Sequence, residues 1–97
     1  MSSQVWRAVI YPKAADPSKP APINTGAPKT VSLGAMGHAL TIQNLDGTNG
    51  LNVSFNGEDF FTVPKSSGLQ IEALFQVFYV RSAAGSTVNW CAIVNEG

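Results

Sequence analysis

Apolar and polar residues alternate in short runs along most of this chain, and stretches rich in glycine, asparagine or proline separate the runs. Leu51, Val53 and Phe55 alternate with Asn52, Ser54 and Asn56, the period of a strand with one buried face. Similar patterning over 39–44, 60–63, 69–74, 78–82 and 87–94 predicts further strands. Strands at this density, with turn residues between them, predict a compact β-sandwich or barrel. A short strand over 30–33 is expected to end at Gly34 and Gly37. Residues 5–11 are apolar on both faces with Arg7 as their only charge, the pattern of a strand covered on both sides, by the core and by a neighbouring subunit. No window holds a 3.6-residue period, so no long helix is predicted.

The same alternation gives pairings and a core. Setting Phe55 opposite Phe61 and Val53 opposite Val63 keeps the apolar faces together around Asn56-Gly57, with a loop longer than two residues. A final hairpin is expected between 78–82 and 87–94, turning at 83–86. The predicted core is Leu40, Ile42, Leu51, Val53, Phe55, Phe61, Val63, Leu69, Ile71, Phe78, Val80, Val88, Trp90, Ala92 and Val94.

Residues 12–29 differ in kind. They hold five of the six prolines and, in Lys13, Lys19 and Lys29, three of the four lysines. Proline fixes φ and removes a donor, which rules out helix and central strand. The segment reads either as a long ordered loop or as an extended arm that docks on a neighbour and orders there. With one domain over 1–97, the expected parts are an N-terminal strand at 5–11, the proline-rich segment at 12–29 and a sandwich core over 30–97.

Charge sharpens the picture. Only 12% of the residues are charged and the net charge is zero, against about 25% charged in a typical soluble domain. Such a surface suits contact with partners or with copies of itself, and an oligomer is expected, with Trp6 or Tyr11 at the contact. The absence of a lysine or arginine cluster argues against nucleic acid. No apolar run approaches the roughly 20 residues of a membrane span, and the first residues have no secretory pattern. Cys91, the single cysteine, allows no intrachain disulfide and is expected as a small buried apolar residue.

Candidate chemistry is sparse. His38 is the only histidine and follows Gly37; an exposed or strand-start position is expected, with no partner that would make it catalytic. Glu58 and Asp59 sit on a predicted turn tip and point apart, and 46–50 resembles a calcium loop in composition only. Asn52-Val53-Ser54 is a formal glycosylation sequon, expected to be chance where no secretory pattern is seen. Trp6, Trp90, Tyr11 and Tyr79 could stack on sugars, but aromatics at strand positions more often serve core or interface. No catalytic residue, metal site or cofactor is expected.

Several of these segments together have a familiar rhythm: Ile42 and Asn44 in one strand, Val53-Ser54-Phe55-Asn56-Gly57 in the next, the Val63-Pro64 turn, and Tyr79-Val80-Arg81-Ser82 before Ala83, Ala84 and Gly85. Over about residues 38–94 the chain resembles small β-sandwich virion proteins of tailed bacteriophages. The resemblance implies an all-β, single antiparallel, jelly-roll-like sandwich with an extended proline-rich N-terminal arm. It implies a non-catalytic capsid decoration (cement) protein, often a homo-trimer, made in the bacterial host's cytoplasm and located on the virion. Its partner would be the major capsid protein, bound on the outer shell where coat subunits meet. Trp6, Tyr11, Lys13, Lys19 and Lys29 are the candidate interface residues. The other expectations weighed are a neck, tail or fibre component, and a carbohydrate-binding adhesin module with exposed tryptophans.

Overall fold

The computed structural model describes residues 6–14, 16 and 19–97. The described residues are all-β and contain no helix. Six strands form one antiparallel sheet: β1 (Arg7–Tyr11), β2 (Lys29–Asn44), β3 (Leu51–Ser54), β4 (Phe61–Val63), β5 (Gly68–Ser82) and β6 (Trp90–Glu96), in the order β1-β6-β2-β5-β3-β4. The expected start of the first strand at Val5 lies outside the described residues.

Two long strands organise the sheet. The expected strands 30–33 and 39–44 are one strand, β2, and 69–74 joins 78–82 as β5. Gly34 and Gly37 do not end the strand. Instead the register with β5 slips between Ser32 and Gly37 and again between Gly37 and Ala39, and such bulges bend a strand without breaking it. Gly37 permits close approach here: a Cβ would lie 2.8 Å from Leu33 Cδ1 and 2.9 Å from Phe75 Cζ.

The bend changes β2's neighbours. Residues 29–32 pair with β5 alone, whereas residues 37–44 run between β5 and β6. Likewise β5 pairs with β3 only over 79–82. Leu40, Ile42, Ala92 and Val94 from one half and Val31, Val53, Val63, Phe78 and Val80 from the other pack into a single buried cluster. Phe78 is its hub, with Tyr11, Phe75 and Trp90 edge-on at centroid distances of 6.1, 6.2 and 5.9 Å, the arrangement that aromatic quadrupoles favour.

Three expectations about pairing and core need correction. Residues 78–82 and 87–94 do not form a hairpin, because β5 and β6 flank β2 on opposite sides. The β3–β4 hairpin sets Leu51 opposite Val63 and Val53 opposite Phe61, two residues from the expected register but on the same face. Its turn is held by Ser54 Oγ, which accepts the Asn56 and Gly57 amides at 3.1 and 2.8 Å. Leu69 is exposed and Ile71 half-buried, although they pair with Ile42 and Leu40 of the inner face. Their parity is right, but β3 does not extend beside this half of β5, so they lie at the core's open margin.

The described part of 12–29 is in place on the body. Ala21 is fully buried, its amide bonds Val88 O at 2.8 Å and its carbonyl accepts the Val88 amide at 3.3 Å. Pro22 O accepts the Ser82 amide at 2.7 Å, and Asn24 donates its amide to Ala84 O at 3.1 Å. The described part of the segment lies as a strap across the β5–β6 connection, the placement of the long-loop alternative.

Candidate functional site

The five expected interface residues separate into different environments. Trp6 is 47% exposed and stacks on His38, with ring centroids 4.2 Å apart and planes 8° from parallel. Lys13 and Lys19 are exposed, and Lys13 Nζ lies 5.7 Å from the Tyr11 ring centroid. Tyr11 and Lys29 are largely covered within the chain itself. Tyr11 is 3% exposed and belongs to the core, because its parity on β1 matches that of Val9 and faces Ala92. The Lys29 side chain is 8% exposed and pairs with Asp16 at 2.5 Å, so it closes the strap onto β2.

Tyr11 completes a buried polar link. Its hydroxyl donates to Glu96 Oε2 at 2.6 Å, and Glu96 Oε1 accepts the Ala35 amide at 3.1 Å. Tyr11's pKa is raised from 10.0 to about 12, chiefly by burial, then by the hydrogen bond to Glu96 and that residue's charge; a backbone hydrogen bond at Gly34 opposes this. Above Glu96 opens a cleft of about 400 Å3 lined by Arg7, Val9, Lys13 and Ala35. Both carboxylate oxygens of Glu96 are engaged, so the group ties β6 to β1 and to the β2 bulge.

The outer face of β1, β6 and β2 carries one exposed apolar patch; Leu45, Leu69 and Leu74 are exposed elsewhere. Ile10 and Ile93 are opposed across the β1–β6 ladder and are 66% and 45% exposed. Thr41 follows Ile93 in the same row, and Ala8 with Asn95 and Ala39 forms the next. These rows hold no charged residue until Glu72 on β5. Cys91 is half-buried on this outer face, 3.6 Å from Gln43 Oε1, not inside the core. The exposure of Ile93 follows from parity with buried Ala92 and Val94; its pairing with Ile10 has no local signal.

The remaining polar candidates are engaged in local structure. His38 lies inside β2, half-buried, with Nε2 2.9 Å from Gly97 O. Asp46 Oδ2 accepts the Thr48 and Asn49 amides at 3.0 and 2.6 Å, and Asn56 and Asp59 bond each other across the hairpin tip. Asn44, buried and unremarkable in sequence, donates to Asn49 O and Val63 O and accepts the Asp46 amide, which fixes the β2–β3 loop. Among the described residues no three His, Cys, Asp or Glu side chains are grouped to hold a metal. Comparison with protein families, curated proteins and solved structures finds no match to this chain.

Proposed function

We propose that this chain is a non-catalytic structural protein of a tailed-bacteriophage virion, a decoration protein that sits on the outer capsid where coat subunits meet. The bent sheet acts as a two-layered, jelly-roll-like sandwich, its halves closing on the shared core. It assembles as a trimer and stabilises the shell by contacting several coat subunits at once, so that avidity comes from multiple attachment. The observation that carries the reading is the uncharged outer face centred on Ile10 and Ile93. Its occupant is a second copy of the chain, since copies with zero net charge present no charge mismatch to one another. Covering these two partly exposed side chains supplies about 2–3 kcal/mol per copy. The exposed Lys13 and Lys19 remain free to meet acidic groups on the coat.

Sedimentation at high micromolar concentration tests the assembly, and co-sedimentation with coat shells stripped of accessory proteins tests the attachment. The expected result is a trimer that binds shells, and an Ile93→Lys variant that is monomeric with an unchanged circular dichroism spectrum. A wild-type chain that neither self-associates nor binds shells overturns the proposal.

A further inference from the structure

A groove on the outer face, beside the β2 bulge, borders the Ile10–Ile93 patch and shares Asn95 with its neighbouring row. Its volume is about 330 Å3, and Trp6, His38, Gln70, Glu72, Leu74 and Asn95 line it. Register explains why they meet. Asn95, Ala39 and Glu72 form one cross-strand row over β6, β2 and β5, and Gln70 stands in the adjacent row opposite Thr41. Trp6 has the parity of Ala8 and so lies on the same face. Its ring passes over Gly97, where a Cβ would come within 2.7 Å of Trp6 Cδ1, and reaches His38. The His38 ring is itself tied to Gly97 O at 2.9 Å. The indole is therefore clamped in one orientation while about half of its surface stays open.

We propose that this groove binds a neutral pyranose saccharide, with Trp6 as the stacking platform and Gln70, Glu72 and Asn95 as hydroxyl partners. A pyranose presents an apolar C–H face and a rim of hydroxyls that each donate and accept. The first needs a flat, exposed aromatic ring. The second needs side chains offering both functions at close spacing: the amides of Gln70 and Asn95 each donate and accept, and Glu72 accepts. An aromatic group already fixed in place loses little freedom on binding. Phosphates and nucleic acids lack a cation here, because no lysine or arginine lines the groove and Glu72 repels them. A purely apolar ligand would leave three polar side chains without partners. An ammonium ligand would use Trp6 and Glu72 and leave both amides idle.

The experiment titrates the intact chain with hexasaccharides of glucose, galactose, mannose and N-acetylglucosamine, and in a parallel arm measures retention on insoluble bacterial cell-wall polysaccharide. Tryptophan fluorescence reports the groove, since Trp90 is buried and Trp6 is open. We expect one sugar series to bind with a dissociation constant of about 1 mM, or tighter binding to the displayed polymer if the natural source is a surface glycan. Trp6→Ala should weaken binding more than about tenfold, Trp6→Phe should keep most of it, and Glu72→Gln should change it less than about threefold. If Trp6→Ala fails to fold by circular dichroism, the Gln70→Ala and Asn95→Ala pair carries the test and must weaken binding by about tenfold. No response to any sugar in the millimolar range and no retention on the polymer overturns the proposal. So does binding of choline that Glu72→Gln abolishes in the absence of sugar binding. Sugar binding and shell assembly are read by separate measurements, so failure of one leaves the other standing.

Discussion

Replacing Tyr11 with Phe removes one oxygen atom and keeps the ring that packs edge-on against Phe78. What is lost is the hydroxyl donated to Glu96 Oε2 at 2.6 Å inside the fold. A hydrogen bond to a charged group contributes about 1.5–3 kcal/mol, and the variant leaves a buried carboxylate oxygen without that donor. The expected loss is therefore about 2 kcal/mol, read as a lower urea midpoint at unchanged slope, or about 10 °C in melting temperature for a domain this size. The wild type makes a second, pH-dependent prediction. Folding favours the neutral phenol, whose pKa rises from 10.0 to about 12. Stability from this group is fully present below pH 10, falls as pH rises towards 12 and is lost above it. With roughly 1.4 kcal/mol for each pH unit between the two values, the fall is about 3 kcal/mol. Tyr11→Phe should lack this component of the alkaline fall. Combined with Glu96→Gln in a double-mutant cycle, it should show a coupling of about 1–3 kcal/mol. A Tyr11→Phe variant within about 0.5 kcal/mol of wild type, with the same alkaline profile, would refute the reasoning.

Three further outcomes follow from the packing. Val53→Asp places a charge at a fully buried site between β4 and β5 and should unfold the domain, seen as loss of the strand signal in circular dichroism; a folded variant would show that the site reaches water. Gly57 has φ of 80° and an added Cβ would lie 3.3 Å from the Tyr79 ring, so Gly57→Ala should lose about 1–2 kcal/mol in urea titration, and an unchanged midpoint would count against that turn geometry. Ala21→Asp should release the strap from Val88, lower stability by about 2 kcal/mol and open 19–28 to limited proteolysis, and a protease-resistant variant would contradict its docking.

Strand existence and facing were legible because period 2 is a local property: Leu51, Val53, Val80, Trp90, Ala92 and Val94 all face the core as their alternation implies. Neighbour choice was not, since alternation assigns a face and says nothing about which strand lies alongside. That is why β5 and β6 read as a hairpin although β2 separates them. Gly34 and Gly37 misled for a different reason. A glycine that ends a strand and one that lets Leu33 and Phe75 approach its backbone look the same in sequence. Tyr11 and Glu96 meet across 85 positions, and no local pattern encodes that contact. Trp6 was legible as a surface candidate, but its clamp on His38 and the groove beside it depend on the bulge that joins β2 to its second neighbour.

The strand order also dictates when the molecule can be made. Among the described residues β1 pairs with β6 alone, with Arg7 opposite Glu96, so β1 cannot pair until β6 has been made. Until Glu96 has left the ribosome, β1 and one edge of β2 expose unpaired backbone and the side chains of Val9 and Tyr11, which the finished fold covers. Only β3 and β4 can zip locally. Folding is therefore a late, largely all-or-none event dominated by closure of distant segments, slow for a chain of this length. Nascent chains stalled before β6 would be the aggregation-prone species.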